Sequence, residues 1–281
     1  EHVFANHNKP QNYDHLDRAY KLIHKIGYQK LNINVEGCRS LMTSTADRQD
    51  IQKLVKKKSH YVDYNLFGTV TGRLTTNKDS FPVLTMKSRL RSIVKPTNDW
   101  LVSFDYNGAE VRTFLALSGV DQPDEDIHQW NMKHLYGDHP IDREEAKVRF
   151  FASFYNNEDI SLNDSVYSRE RVIGDYFYGD RVETPFKRKI KVDQRRAFNY
   201  IIQSTTADLT IDRAVELDGI LENTQSKVAF IVHDEIVLDI HEDDRYLIPE
   251  LKEVFQNNKL GSFKANVKAG KNYGELRELK L

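Results

Sequence analysis

Two settings in this sequence put carboxylates where they could do chemistry. In the first, His233, Asp234 and Glu235 separate two short apolar runs, Val228 to Val232 and Ile236 to Ile240. In the second, the run Trp100-Leu-Val-Ser-Phe closes on Asp105. β-Branched and aromatic residues dominate these runs, which marks them as strands of a largely buried sheet. A three-residue turn that only reversed the chain would favour Asn-Gly or Asp-Gly over His-Asp-Glu. Each acid alone has a plain explanation, a charged surface turn in one case and a helix N-cap in the other. The same setting occurring twice points instead to acids held at strand ends, where α/β folds carry out ligand chemistry. A third pattern adds cations, because Arg143, Lys147, Phe151 and Tyr155 recur every four residues and share one helical face. Two cations followed by two aromatics suit a triphosphate at one end and a stacked base at the other. A cationic rim snorkelling over a packed aromatic end is the competing explanation.

Several elements must position these groups. Residues 1–12 are polar and expected to be loose. Tyr13 to Ile26 has helical apolar spacing with Gly27 as its stop. Asp50 to Lys58 is a second helix exposing Lys53, Lys56, Lys57 and Lys58, either a solvated face or a phosphate contact. Gly68 and Gly72 bracket a threonine-rich segment holding Arg73, by default a strand with glycine kinks. Lys87, Arg89, Arg91 and Lys95 are interleaved with apolar residues, as in a strand with one basic face. After Asp105 the chain turns helical, with Val111, Phe114, Leu115 and Leu117 packed and Gly119 closing the helix. Pro140-Ile-Asp142 opens the helix that carries the cation–aromatic stripe to about Tyr155, with Asp142 and Glu145 at capping-box spacing. Asn156 to Asp164 is loop-like, and Arg181 to Val192 forms a hairpin turning near Pro185. Gln194 to Ile220 is one long helix presenting Arg195, Asn199 and Gln203, whose amides can meet base edges. A helix from Asp243 to Asn257 and a strand from Phe263 to Ala269 follow.

The chain has 281 residues, enough for one large or two modest domains. A net charge of -1 argues against binding nucleic acid through bulk charge and leaves local basic patches open. Cys38 is the single cysteine, which excludes a disulfide framework and a cysteine-based metal site and fits a reducing cytosol. No apolar run reaches membrane-spanning length and no signal-peptide pattern opens the chain, so a soluble intracellular protein is expected.

Taken together the segments resemble the polymerase domain of family A DNA polymerases, the DNA polymerase I type. Asp105-Tyr-Asn-Gly-Ala-Glu-Val-Arg112 is similar to the first palm motif of that family, and Val232-His-Asp-Glu235 to its last. The stripe from Arg143 to Tyr155 resembles the fingers helix, and Thr71-Gly-Arg73 and Arg195 to Asp208 match two further segments in family order. The resemblance implies an α+β right-hand fold, with an antiparallel palm sheet, helical fingers and a reduced or missing thumb. It implies four regions: a helical segment at 1–60 as partial thumb, palm at 61–120, fingers at 121–194, and palm again at 195–281.

The implied reaction adds deoxynucleotides to a primer 3′ end by two-metal nucleotidyl transfer, with loss of pyrophosphate. Such chemistry needs charge neutralisation and in-line positioning. Asp105 and Asp234 would bridge two Mg²⁺ ions (Mn²⁺ as substitute) together with the Tyr106 carbonyl, and Glu235 would tune them from behind. By the same resemblance, Arg143, Lys147 and His128 contact the triphosphate, with Lys147 also the acid for pyrophosphate departure. Tyr155 stacks near the templating position, Phe151 contacts the sugar, and Glu110 excludes a ribose 2′-hydroxyl while hydrogen-bonding Tyr155. His233 touches the primer terminus, and Arg73, Arg195, Asn199 and Gln203 contact primer–template DNA. Implied partners are primer–template DNA, the dNTPs, and a separate exonuclease, processivity or thumb-bearing subunit, in the cytoplasm of a bacterium or phage-infected host. The chain departs from the family pattern at Asn107-Gly-Ala in place of Ser-Gln-Ile, at Glu144 in place of a second arginine, and at Ala152, Asn156 and Ser204 in place of glycines. It is also short between Tyr155 and Arg195. The rival readings are a single-subunit RNA polymerase and a non-catalytic duplex-binding subunit.

Overall fold

The structure, a computed structural model, describes residues 8–34, 36–37, 42–56, 60–137, 141–155 and 166–281. Residues 1–7, Cys38, Lys57, Lys58, Pro140 and the expected loop from Asn156 to Asp164 lie outside that set, as do the side chains of Lys53 and Lys56.

Five antiparallel strands build the central sheet. They are β1 (Trp100–Tyr106), β2 (Lys227–Val232), β3 (Glu235–Ile240), β4 (Ala265–Gly270) and β5 (Arg277–Glu278), in spatial order β5-β4-β1-β3-β2. The apolar runs form strands because both faces are covered, and Phe104, Phe230, Ile236 and Leu238 are fully buried. Every pairing is antiparallel, so the strand-end rule of parallel α/β sheets does not place Asp105. Register does: Trp100 pairs with Ile240 and Asp105 with Glu235, which brings the end of β1 against the start of β3.

Eight α-helices are described: α1 (Tyr13–Gly27), α2 (Thr45–Lys56), α3 (Ala109–Leu117), α4 (Ile127–Leu135), α5 (Arg143–Tyr155), α6 (Arg169–Tyr176), α7 (Gln194–Ile220) and α8 (Ile248–Gln256). Two cores result. One joins the sheet to α1, α8 and the second half of α7, with Leu209, Ile211 and Leu217 inside it. The other joins α3, α5 and α6 to the first half of α7 through Phe114, Phe150, Phe154 and Phe198. Helix α7 is thus shared, one half to each core.

Several expected elements differ. The basic segment expected as a strand is a 3₁₀-helix over Ser88–Ile93, continued by two strand residues, Val94–Lys95. Leu90 and Ile93, three apart, both reach the core, a spacing that the three-residue turn of a 3₁₀-helix satisfies and an alternating strand does not. The segment around Arg73 is mostly turn, with only Thr75–Thr76 in a ladder against Tyr64–Asn65. The helix expected from Asp243 to Asn257 divides into a 3₁₀-turn, Glu242–Leu247, and α8, with Pro249 in the first turn of α8. Helices α4 and α6 had no clear periodic signal.

Candidate active site

The hairpin joining β2 to β3 is tighter than its sequence implied. Val232 pairs directly with Glu235, so only His233 and Asp234 form the loop and Glu235 opens β3. His233 adopts φ 57°, the positive value that two-residue hairpins require at their first position. Side chains of directly opposed antiparallel residues share a face, which sets Asp105 and Glu235 together beside Asp234. Burial, then the charges of Asp234 and Glu235, push the Asp105 carboxyl up to about 7. The Asp234 carboxyl also rises, chiefly through burial, with Glu110 and Glu235 adding to it. Neither aspartate has an ion-pair partner among the described residues.

Glu235 differs from its neighbours. One carboxylate oxygen accepts from the Ser103 hydroxyl and the other from the Tyr273 hydroxyl at 2.7 Å. Burial and the adjacent Glu235 charge push the Tyr273 phenol well up, which keeps it a donor. Tyr106 stacks on Phe255, with ring centroids 4.1 Å apart, and donates to the Phe255 carbonyl at 2.6 Å, so its side chain stays out of the site. Among the described residues no three His, Cys, Asp or Glu side chains converge as a ready-made cage. Two adjacent carboxylates, both raised by burial and by neighbouring acids and neither in an ion pair among the described residues, nevertheless fit Mg²⁺ or Mn²⁺. Mg²⁺ takes one or two protein carboxylates and completes its shell with water and phosphate oxygens.

Beside the aspartates lies a cavity of about 340 Å³, lined by Asp234 and His233 from the hairpin, Glu110 from α3, Phe151 and Tyr155 from α5, and Gln203 from α7. Arg73 closes another side. Glu110 is the hub: one oxygen accepts from the Tyr155 hydroxyl at 2.8 Å and the other from the Arg73 guanidinium. Burial, then the Glu110 charge, push the Tyr155 phenol up to about 12. Phe151 stacks on Tyr155 at 6.0 Å and 16°.

The cationic end of α5 is arranged differently from its sequence reading. All three guanidinium nitrogens of Arg143 already have carboxylate partners: Nε and Nη2 donate to Asp126 at 3.1 and 2.8 Å, and Nη1 to Glu144 at 2.5 Å. Lys147 is exposed and has no ion-pair partner among the described residues. His128 is buried, with Nδ1 lacking a partner among the described residues, and burial lowers its pKa. Its charged neighbours include Asp126, Arg143 and Lys147, so the three groups expected around a triphosphate do share one region.

The departure Asn107-Gly108-Ala109 has a local explanation. Gly108 sits at φ 72°, and a Cβ there would come within 2.7 Å of Ile127, so the residue before α3 must be glycine in this packing. Asn107 accepts from the Ile127 amide at 2.7 Å and donates to Asp126 at 2.7 Å, while Arg112, fully buried, donates to the carbonyls of Asn107, Pro123 and Glu125. On α7, Arg195 is exposed and Asn199 half-buried, and neither lines the cavity that Gln203 reaches.

Sequence reasoning missed Asp126, Tyr273 and the Arg188–Asp208 pair. Arg188 holds Asp208 in two hydrogen bonds, 2.9 and 2.6 Å, and its guanidinium lies where a Cβ on Gly72 would need to be. Only Asp126 carried a usable signal, since it N-caps α4 through the amides of His128 and Gln129.

No protein-family profile matches the chain. It is similar to thermostable DNA polymerase I of Thermus aquaticus, 28% identical over 73% of this chain and 33% of that protein. It is also similar to DNA polymerase I of Pseudomonas aeruginosa, 24% identical over 76% of this chain and 29% of that protein. The chain therefore spans about a third of the length of the relatives it matches. Among solved structures, it shares its fold with the POL domain of Pol1 from M. smegmatis in complex with DNA primer-template and dNTP. The TM-score is 0.64 at 16% identity, covering 94% of this chain and 64% of that one.

Proposed function

For a chain related to DNA polymerase I and built on the fold of a polymerase domain, we propose template-directed DNA synthesis, the addition of deoxynucleotides to a primer 3′ end. The observation that carries this reading is the pair of adjacent carboxylates, Asp105 and Asp234, both raised by burial and neighbouring acids, with Asp234 in the wall of a cavity shared with Glu110, Phe151 and Tyr155. When bound, two divalent ions supply charge neutralisation of the triphosphate and activation of the attacking 3′ oxygen. The chain's residues do the rest. Asp105 and Asp234 offer anionic oxygens at one sheet edge, and Ser103 and Tyr273 hold Glu235 so that its charge bears on Asp105 from a fixed place. Glu110, anchored to Tyr155 and Arg73, limits the space beside the sugar, and Phe151 and Tyr155 provide an aromatic wall for the base. His233 and Gln203 reach the same cavity and suit contacts with the primer end and the nascent pair. Lys147, unpaired and one turn from Arg143, is the available cation for the triphosphate and a donor for the departing pyrophosphate. Arg195 and Asn199 are assigned to DNA backbone and groove contacts along α7. The regional division into partial thumb, split palm and fingers belongs to the same proposal.

The test is extension of a labelled primer–template by the purified chain with each nucleotide, with and without Mg²⁺. Metal-dependent extension with deoxynucleotides supports the reading. Preference for ribonucleotides would favour an RNA polymerase, and duplex binding without extension a non-catalytic subunit.

A further inference from the structure

The cation expected to meet the triphosphate is already engaged, and the residue that engages it is not part of the reading above. Asp126 stands at a junction. It N-caps α4 through the His128 and Gln129 amides at 3.0 and 3.1 Å. It accepts from Asn107, two residues beyond Asp105, at 2.7 Å. It also takes Arg143, the first residue of α5, in a two-point pair. The strand end that bears Asp105, the helix that bears His128 and the helix that bears Lys147 therefore meet on a single carboxylate.

A bidentate carboxylate–guanidinium pair has the fork geometry with which arginine also binds phosphate. Asp126 thus fills the place of an anionic oxygen pair on Arg143. Glu144 takes one N–H of the remaining nitrogen, so a phosphate cannot occupy the Nε–Nη2 fork of Arg143 without displacing Asp126. We propose that Asp126 is a latch on Arg143, holding α5 against the end of β1 until the phosphates of an incoming nucleoside triphosphate displace its carboxylate. The latch sets how tightly a nucleotide binds rather than how fast the bond forms. This rests on the nucleotide-binding reading above. Asn107, the departure from the family pattern, belongs to the same device, because its amide donates to the same Asp126 oxygen that Arg143 Nη2 engages and steadies it there. Lys147, with no carboxylate to leave, would bind phosphate first, and Arg143 would exchange partners second.

Asp126→Asn is the discriminating change, because asparagine caps helices as well as aspartate does and can still bond Asn107, while the charge pair is lost. Titration of a deoxynucleoside triphosphate into wild type and D126N, read at equilibrium and beside primer extension, should show about threefold to tenfold tighter binding in D126N, a lower nucleotide KM, and little change in kcat. E144Q should move affinity less, since Glu144 is largely exposed. In a R143Q background the D126N change should have no effect on affinity. D126S, which keeps a capping hydroxyl, repeats the test should D126N fold poorly. Weaker or unchanged nucleotide binding in D126N and D126S overturns the latch, as does an effect that survives in R143Q. Tighter binding in a protein that extends no primer would support the latch and sink the polymerase reading alone. Absence of nucleotide binding by every variant would sink both.

Discussion

The sheet and the helices around the candidate site carry opposite electrostatic problems. On the sheet side, Asp105 and Asp234 are carboxylates with no ion-pair partner among the described residues, and burial and neighbouring acids make both harder to ionise. On the helical side, Arg143 and Arg73 are cations already placed on carboxylates, Asp126 and Glu110. One side must gain positive charge from outside, whereas the other must release negative charge to become available. On the proposed reading, a ligand that brings both metal ions and phosphates would satisfy both at once, with the ions settling the anions and the phosphates exchanging for the parked carboxylates. Bringing either component alone would relieve only half of the imbalance.

The largest expected effect removes the sheet side. Asp105→Asn or Asp234→Asn should lower single-turnover primer extension by at least about a thousandfold, roughly 4 kcal/mol of barrier, while binding of primer–template changes by less than about threefold. Extension that persisted in either variant would break the contrast, because those acids would then hold no ion.

Next comes the pH dependence of stability without metal. Asp105 titrates at about 7 in the folded chain against 3.8 ordinarily, so between those values the folded state binds the extra proton. Stability should accordingly fall as pH rises from about 4 to 7, by an amount on the order of 2–4 kcal/mol, and level off above 7. Urea unfolding across that range should show the slope in wild type and a shallower one in D105N, where the raised Asp234 still contributes. Mg²⁺ should restore stability at pH 8 in wild type only.

A smaller loss is expected behind the aspartates. Tyr273→Phe removes one of two hydrogen bonds to Glu235, and extension should slow by about tenfold with little change in nucleotide KM. An unchanged rate would mean that the orientation of Glu235 is immaterial. Smallest on overall rate, and sharpest on choice, is Glu110→Ala. It should raise incorporation of ribonucleotides relative to deoxynucleotides by about tenfold, near 1.4 kcal/mol, as measured by competition on one primer. Unaltered sugar preference would confine Glu110 to anchoring Arg73 and Tyr155.

How much of this was legible in the residues depends on the range of the interactions. The strands ending at Asp105 and flanking His233 could be read because burial on both faces leaves a continuous apolar run. The stripe on α5 and the full extent of α7 could be read because a four-residue recurrence is local. The cap of α5 was equally visible, and the Glu145 amide does bond the Asp142 carboxylate at 2.8 Å. What could not be read were partners distant in sequence. Tyr273 meets Glu235 from 38 residues away, and Arg143 meets Asp126 across 17. The stripe predicted where Arg143 would lie but not that a carboxylate would already hold it. The basic segment at 87–95 failed for a different reason, since its interleaved charges suggested alternation while the buried pair Leu90 and Ile93 follows three-residue 3₁₀ spacing.

Helix α7 has a mechanical consequence. It has 27 residues and is therefore about 40 Å long, and each half is cemented into a different core. Were it a stiff rod, tilting the helical lobe by about 5° would swing the far end roughly 3 Å and pry it from α1. Any rocking of that lobe must instead be absorbed as a bend near 203–206. Just beyond, the Thr210 hydroxyl donates to the Thr206 carbonyl at 3.1 Å, and such back-bonding softens a helix by competing for its carbonyls. Gln203 lies on that joint and in the cavity wall, so flexing the hinge would move a side chain that lines the cavity.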